Sequence, residues 1–404
     1  MKRKVVKRVV SSLMVASMAT LLLAGCGSSD SSTTEETTDT DVSEAAAETS
    51  DTEASSDSGD ASVSTVYSFA RNQWSSGAYP QESSVHCGDV FLGYLGMEQT
   101  VENNEAVMDQ VVSDIQSLIA SGPDGLLLMN VFQEMFASCT EALDAGDVPY
   151  VWIDDIMTDE DVLASIVEDP LFAGWILPDS YQMGYEMGTL AGESGLTKAI
   201  ILSAGLTDDK HVKRTEGFTD AFEAAGGEIL QVVHCDDPSQ ATERANDLIS
   251  ANPDAEIVFC SGGEYTQAAC GVVAGDDSNN MVIYGTDILP DCLDYIKSGE
   301  CIAISGGNQI CGAVGYALLI NYLDGHPILD EDGNCAIIDD LQPYTVDASN
   351  VDVFEALYAE ESCFVTEDQL KNLLWRYNED VSLETFEEFA QNYPDYVMEY
   401  AGLQ

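Results

Sequence analysis

The feature that most constrains the fold is a repeated alternation of short β-rich runs with amphipathic segments, which begins near residue 89. The runs "DGLLLMN" (124–130), "KAIILSAG" (198–205) and "AEIVFCSGG" (255–263) are continuous and apolar, and each ends in polar or small residues. Continuous apolar runs of this length are typical of parallel strands that are buried on both faces. Because helical segments separate the runs, the sequence predicts an α/β fold whose parallel sheets are covered by helices.

The start of the folded part fits this alternation less well. "TVYSFARNQW" (65–74) suits a first strand, but "SSGAYPQESSVHCG" (75–88) contains Gly77 and Pro80 and is poor helix material. The next segment, "DVFLGYLGM" (89–97), suits a second strand. Either a loop replaces the first helix, or the register of the elements in this region is shifted.

The amino terminus is typical of an export signal. Five basic residues in "MKRKVVKR" precede an apolar stretch over 9–24, which is short for a membrane-spanning helix. The following "LAGC" (23–26) resembles the lipobox of bacterial lipoproteins. That resemblance implies cleavage after residue 25 and acylation of Cys26. We therefore expect a signal peptide over 1–25 and a membrane anchor at Cys26, on the extracytoplasmic face of a cell without an outer membrane.

Residues 26–63 are almost entirely Ser, Thr, Asp, Glu, Ala and Gly. Such a segment has too little apolar surface to fold, and its like charges extend it, so we expect a disordered acidic tether. The whole chain has 14 basic and 72 acidic residues and a net charge of −58. A surface with this charge repels nucleic acid, and nucleic-acid binding is excluded from the expected functions.

The chemistry-bearing residues do not predict an enzyme. Ten of the eleven cysteines follow Cys26, and they form no C-x-x-C pair. Their disulfide pairing cannot be assigned from sequence, and we expect mostly free thiols. The four histidines show no ligand spacing, and the chain has neither a G-x-S-x-G elbow nor a phosphate-binding Gly-Lys loop. We expect no catalytic activity, no cofactor and no metal.

Seven segments between residues 89 and 327 occur in the order seen in type I periplasmic binding proteins, and the ribose- and galactose-binding branch is the most similar. They are "DIQSLIASGPDGLLLM", "AGDVPYVWIDD", "LPDSYQMGYEMG", "KRTEGFTDAFEAAGG", "NPDAEIVFCSGG", "YGTDILPDCLDYIKSGE" and "GAVGYALLINYLDGHPI". The resemblance implies two Rossmann-like lobes, with parallel sheets flanked by helices, joined by a hinge of three crossings. It also implies a ligand held between the lobes.

The domain organisation follows from this resemblance. We expect an N-terminal lobe over 64–177 and 307–344, and a C-terminal lobe over 178–306 and 345–360. The remaining residues, 361–404, are expected to form a C-terminal helical extension. In open α/β sheets, ligands bind beyond the carboxyl ends of the strands, so the polar residues that end the strands are the candidate site.

Three candidate ligand-binding residues match the family's motifs. Arg214 lies in "RTEGF" at the position of the family's sugar-binding arginine, and a planar guanidinium suits adjacent hydroxyls. Asp287 in "YGTD" and Asp154 after "PYVWI" match strand-end aspartates that accept hydroxyl hydrogen bonds. Two of them also have a structural alternative: a solvent-facing helix residue for Arg214 and a helix N-cap for Asp287.

Other positions depart from the family pattern. Asp155 stands where the ribose-binding branch has an arginine, which puts ribose itself in doubt. Glycines replace polar residues at 262, 263 and 306, so we expect room for a ligand bulkier than a pentose. The remaining candidate ligand-binding residues are Asn130, Asn308, Gln309 and the aromatic residues Trp74 and Phe69.

The sequence thus predicts a monomeric, lipid-anchored solute-binding protein that captures a sugar or polyol-like molecule for an ABC permease. A ligand-presenting sensor subunit for a membrane kinase or chemoreceptor is the alternative, because both functions use the same closing clamp. The sequence does not identify the ligand.

Overall fold

The computed structural model describes residues 65–75, 79–105, 107–129, 132–155 and 157–403. The predicted signal peptide, the lipidation site Cys26 and the whole acidic tether lie outside the described residues, and so does the candidate site residue Asn130. Within the described residues, no helix is long and apolar enough to cross a membrane.

The described residues form twelve strands and thirteen α-helices. The strands are β1 (Ser68–Gln73), β2 (Glu98–Asn103), β3 (Gly125–Met129), β4 (Tyr150–Ile153), β5 (Phe172–Pro178), β6 (Lys198–Ala204), β7 (Glu228–Cys235), β8 (Ile257–Cys260), β9 (Val282–Thr286), β10 (Cys301–Gly306), β11 (Ile337–Leu341) and β12 (Tyr344–Asp347). The helices are α1 (Tyr79–Tyr94), α2 (Val111–Ala120), α3 (Phe136–Asp144), α4 (Glu160–Val167), α5 (Ser180–Glu193), α6 (Asp209–Ala224), α7 (Ala241–Ala251), α8 (Gly263–Ala274), α9 (Pro290–Ser298), α10 (Cys311–Leu323), α11 (Val351–Ala359), α12 (Glu367–Lys371) and α13 (Leu383–Tyr400).

Two six-stranded sheets form the cores of two lobes. The N-terminal sheet has the strand order β11-β5-β4-β3-β1-β2, and every pairing in it is parallel. The C-terminal sheet has the order β12-β10-β9-β8-β6-β7, and only the β10–β12 pairing is antiparallel. The predicted fold class, parallel sheets flanked by helices in two Rossmann-like lobes, is confirmed.

Local sequence explains why several elements start and stop where they do. All five residues of β3 are buried, as its apolar run predicts. Helix α9 begins at Pro290, whose missing N–H costs nothing in a first turn, and ends at Gly299 with a φ of 98°. On one face of the N-terminal sheet, Trp152 stacks on Trp175 with ring centroids 5.9 Å apart, and both side chains are fully buried.

The first helix exists, and the predicted strand over 89–97 is wrong. Helix α1 spans this segment, and the second strand starts only at Glu98. Ser84, Cys87 and Phe91 are all buried, and their spacing of three and four residues is that of one helix face. Pro80 lies in the first turn, where proline is tolerated, so it begins the helix instead of breaking it.

The chain passes between the two sheets three times, between residues 178 and 180, 306 and 311, and 341 and 344. The carboxy-terminal segment adds a fourth passage. Helix α11 packs on α9 of the C-terminal lobe, whereas α12 packs on α1 and α10 of the N-terminal lobe. Helix α13 then contacts β11 and β12, one strand from each sheet. The carboxy-terminal helices therefore brace the hinge.

A disulfide fixes this fourth passage. Cys87 in α1 pairs with Cys363, and their Cα atoms lie 4.9 Å apart. The other eight cysteines within the described residues are free, and all but Cys335 are buried. Burial raises the pKa of the Cys139 thiol to about 12, which makes it a packing residue rather than a nucleophile.

Candidate ligand-binding cleft

A cavity of about 240 Å³ lies at the carboxyl ends of strands from both sheets, between the lobes. Parallel strands present their carboxyl ends at one sheet edge, so the loops that follow them converge there. The N-terminal lobe contributes Trp74, Phe132, Asp154 and Asn308 to the lining. The C-terminal lobe contributes Asp208, Lys210, His211, Asp236, Glu264, Tyr265 and Asp287.

An Arg–Asp pair forms the C-terminal side of the cleft. Arg214 Nη1 donates to Asp287 Oδ2 at 2.7 Å, and Nη2 donates to Oδ1 at 3.0 Å. Nη1 also donates to the Ser261 carbonyl at 3.0 Å. Burial disfavours the charge on Arg214, but the Asp287 carboxylate outweighs burial and raises the pKa of Arg214. Both residues were predicted from sequence, and the structure brings them into direct contact.

Asp154 faces this pair from the N-terminal lobe. Its backbone has a φ of 76°, which turns the chain sharply at the end of β4. Lys210 Nζ donates to Asp154 Oδ2 at 3.1 Å, and Asn308 Nδ2 donates to Oδ1 at 3.3 Å. Burial alone would raise the pKa of Asp154, but the charges of Lys210 and Arg214 lower it below the usual value. The carboxylate stays ionised.

Lys210 and His211 also line the candidate cleft, and sequence reasoning missed them. Both lie in the first turn of α6, four and three residues before Arg214, so one helix face presents all three side chains. This spacing is the signal that could have found them. His211 Nδ1 is 2.9 Å from Ser261 Oγ. Burial, together with the charges of Arg214 and Lys210, lowers the pKa of His211 to about 3, so its ring is neutral.

The aromatic wall of the cleft contains one predicted residue and one missed residue. Trp74 lines the cavity, as predicted, and its ring meets that of Phe132 edge-on with centroids 4.8 Å apart. Phe69 does not reach the cleft. Its ring is buried in the N-terminal core against Tyr316, at a centroid distance of 5.1 Å. Side chains alternate along a strand, which directs Phe69 towards α10.

Two predicted polar residues lie beside the cleft and not in it. Gln309 is buried and its Nε2 donates to the Tyr344 hydroxyl at 2.8 Å, which makes it a hinge residue. Asp155 lines a second cavity of about 160 Å³ next to Asp179 and Asp339. Asn308, in contrast, lines the main cleft as predicted.

The glycines at 262 and 306 do not enlarge the cleft. A Cβ atom at Gly262 would lie 2.7 Å from His211 Cε1, and one at Gly306 would lie 2.6 Å from Ile288 Cδ1. The imidazole ring and the isoleucine side chain therefore occupy the space that the glycines leave. These two glycines therefore give no reason to expect a ligand bulkier than a pentose.

No metal centre is formed within the described residues, where no group of three His, Cys, Asp or Glu side chains has suitable geometry. Two lobes that meet over a cavity lined by strand-end polar residues and an aromatic wall define a two-lobed binding protein.

Comparison with known sequences agrees with this class. The family model described as "periplasmic binding protein domain" matches residues 92–327. The chain belongs to the periplasmic binding protein family. The ribose import binding protein RbsB of Salmonella typhimurium is 23% identical over 214 residues, which cover 52% of this chain and 68% of the relative. That of Escherichia coli is 22% identical over the same length, with the same coverage.

Solved structures show the same fold. GanP, a glucose-galactose binding protein from Geobacillus stearothermophilus, has a TM-score of 0.59 and 18% identity, over 71% of this chain and 99% of that chain. A carbohydrate transporter solute binding protein from Agrobacterium radiobacter, in complex with D-arabinose, has a TM-score of 0.60 and 16% identity, over 73% of this chain and 99% of that chain. At such identities the likeness shows the fold alone.

Proposed function

We propose that this chain is an extracytoplasmic, lipid-anchored solute-binding protein that captures a sugar or sugar-like molecule for delivery to an ABC permease. The observation that carries the proposal is the position of the Arg214–Asp287 pair opposite Asp154, across a cavity of about 240 Å³. Hydrogen-bonding groups thus face each other from the two lobes, as a clamp on a polyol requires.

Each wall has a separate part in ligand capture. The carboxylates of Asp287 and Asp154 accept hydrogen bonds from ligand hydroxyls, and charge makes such bonds stronger than neutral ones. Arg214, which lies behind the lining, holds Asp287 in a fixed position through two hydrogen bonds. The Trp74 ring provides an apolar surface for the carbon face of a sugar ring. The chain carries out no chemistry and needs no cofactor.

The relatives support the sugar class. The proteins similar to this chain include a ribose import binding protein, a glucose-galactose binding protein and a solute binding protein in complex with D-arabinose. Delivery to a permease is inferred from family membership, and attachment through Cys26 is inferred from the lipobox resemblance of "LAGC". Several acyl chains would hold the protein where a single chain binds only marginally. A Cys26→Ala variant should therefore leave the membrane fraction.

A thermal-shift screen of the full-length chain in detergent tests the proposal. We expect at least one compound from a panel of pentoses, hexoses, disaccharides and polyols to raise the Tm, because a ligand that binds only the folded state stabilises it. Trp74→Ala should weaken that ligand by roughly tenfold, since stacking on an aromatic ring is lost. Tyr377→Ala, which changes an exposed aromatic residue, is the matched control. A folded chain that responds to no compound in the panel contradicts the sugar class.

A further inference from the structure

The charges in the cleft define the ligand more narrowly than the fold does. We propose that the cleft binds a polyhydroxylated ligand that carries a protonated amine, such as an amino sugar, and that the Lys210 ammonium occupies the position of the ligand's ammonium group when no ligand is present. The inference rests on the proposed function, because it concerns the same cleft.

Carboxylates outnumber cations on the cavity lining. Five carboxyl side chains line the cavity, and Lys210 is the only lysine or arginine among the lining residues that the structure describes. Arg214 lies behind the lining and neutralises Asp287, and Lys210 neutralises Asp154. The carboxyl groups without a lysine or arginine partner in the described residues are those of Asp208, Asp236 and Glu264.

Asp208 shows this lack of compensation most clearly. Among the described residues its one ion-pair contact is with His211, whose Nε2 lies 3.6 Å from Asp208 Oδ2, while Lys210 and Arg214 act on it only from a longer distance. That ring is neutral because burial and two nearby cations lower the pKa of His211 to about 3. Asp208 Oδ1 is buried and has no hydrogen-bond partner. Burial accordingly raises the pKa of Asp208, and partial desolvation by the cleft walls does the same for Glu264.

The position of Lys210 Nζ shows where an ammonium group fits. Nζ lies 3.1 Å from Asp154 Oδ2, and only 13% of the lysine side chain is exposed. Burial opposes its charge, but Asp154, Asp208 and Asp155 together raise the pKa of Lys210. An ammonium group is therefore stable at this position even though little water reaches it. A ligand ammonium would meet the same carboxylates.

Lys210 also has an alternative position to occupy. It lines both the main cleft and the second cavity of about 160 Å³, whose lining holds Asp155, Asp179 and Asp339 together with the Asp209–Lys213 ion pair. A lysine has a flexible four-carbon stem, so its ammonium can rotate from one cavity into the other without moving the helix. The displaced charge would again lie among carboxylates, which keeps the cost of the exchange low.

The net charge of the whole chain also favours a cationic ligand. With 72 acidic and 14 basic residues, the chain produces a negative field, and a cleft lined by one sign of charge concentrates ligands of the opposite sign. A neutral polyol would leave Asp208 and Glu264 without a cation in direct contact, and an anionic sugar would be repelled by them.

Isothermal titration of the full-length chain in detergent at pH 6.5 tests the inference with probes that differ mainly in charge. These are D-glucosamine, D-glucose and N-acetyl-D-glucosamine, with the three corresponding galactose compounds. We expect an amino sugar to bind at least tenfold more tightly than its parent and its N-acetyl derivative, and to bind more weakly as salt increases. Equal or tighter binding of the neutral sugar overturns the inference and leaves the proposed function intact. A folded chain that binds neither series, nor any sugar of the wider panel, overturns both.

Variants locate the effect within the cleft. We expect Glu264→Gln and Asp208→Asn each to weaken amino-sugar binding by roughly tenfold, because each removes one uncompensated carboxylate. Glu223→Gln, at the exposed far end of α6, is the matched control and should bind normally. Unchanged binding in both cleft variants would contradict the inference.

Lys210→Met separates a competing ammonium from a ligand contact. If Lys210 occupies the ligand's position, its removal should tighten amino-sugar binding by roughly tenfold, because the ligand no longer displaces a tethered ammonium. Lys210→Gln keeps a hydrogen-bond donor and should also tighten amino-sugar binding. It replaces Lys210→Met in this test if the methionine variant does not fold. Weaker amino-sugar binding in the folded variant would overturn the assigned role of Lys210.

Putrescine, a diamine without hydroxyl groups, should bind poorly, because the proposed ligand needs hydroxyl groups as well as an ammonium group. Tighter binding of putrescine than of any amino sugar would also contradict the inference.

Discussion

The two walls of the cleft are built in different ways. On the C-terminal wall, Arg214 and Asp287 come from the same lobe and hold each other through two hydrogen bonds. On the N-terminal wall, Asp154 takes its charged partner, Lys210, from the opposite lobe. The Arg214–Asp287 contact of the C-terminal wall needs only its own lobe. The Asp154–Lys210 contact of the N-terminal wall can form only when the two lobes are close together.

This difference assigns separate tasks to the two walls. A ligand entering an open cleft would meet a preorganised Arg214–Asp287 pair, which has little conformational freedom left to lose. Asp154 and Lys210 would be hydrated in the open form and would lose water on closure. We therefore propose that the C-terminal wall anchors a ligand and that the Asp154–Lys210 contact of the N-terminal wall forms only when the clamp closes.

The largest effect is expected at the C-terminal pair. Arg214→Ala should abolish ligand binding and lower the free energy of unfolding by about 3–5 kcal/mol, because it leaves a largely buried Asp287 carboxylate unpaired. The double variant Arg214→Met/Asp287→Leu should recover most of the stability but none of the binding. Urea denaturation of the three chains measures this. A single variant as stable as the parent would show that the pair is not needed to hold the wall together.

A smaller, pH-dependent effect is expected at His211. Its folded-state pKa of about 3 lies below the unfolded value of about 6.5, so its contribution to stability is fully present above pH 6.5 and is lost as pH falls towards 3. Between pH 6.5 and pH 5 the loss amounts to about 1.5 kcal/mol.

His211→Gln should remove this pH-dependent component, and the difference between its stability–pH curve and that of the parent isolates it. The acidic groups near the ring, Asp208 and Asp287, and the basic groups Lys210 and Arg214 remain in both chains. Parallel curves for the two chains would contradict a neutral, buried imidazole.

The smallest effect on stability is expected on the N-terminal wall. Asp154→Asn removes the interlobe ion pair, but the lobes can separate and return Lys210 to water. We expect a loss of no more than about 1 kcal/mol, as for solvent-accessible pairs. Small-angle X-ray scattering should show a larger radius of gyration in the unliganded variant. A stability loss as large as that of Arg214→Ala would mean that the two walls are equally rigid.

Sequence-based prediction succeeded for some elements and failed for others, depending on how clear the pattern of apolar residues is within each element. The segment predicted as β3 contains its own stop signal, Asn130, and an unambiguous apolar pattern. Helix α1 was missed because "DVFLGYLGM" is apolar enough to suit a strand, and Pro80 was interpreted as a helix breaker. Its helical periodicity becomes clear only when Ser84 and Cys87 are seen to be buried with Phe91.

The candidate site was predictable where single residues end strands or follow a motif. Arg214, Asp287 and Asp154 lie where the family motifs placed them, and Trp74 and Asn308 line the cleft. Gln309 and Phe69 lie outside the cleft lining, because the rotation of one residue about a helix or strand decides between cleft, hinge and core. No sequence pattern encodes that rotation reliably for short elements.

The sequence by itself determined the alternation of strands and helices, because apolar periodicity is a local property of the chain, and its resemblance to a known family implied the two lobes. Only the tertiary structure decided that Lys210 reaches Asp154 across 56 residues, that His211 fills the space beside Gly262, and that Cys363 is bonded to Cys87 across 276 residues. These contacts join residues that are distant in sequence. Their partners are chosen by how the lobes and the carboxy-terminal helices pack, which local patterns do not specify.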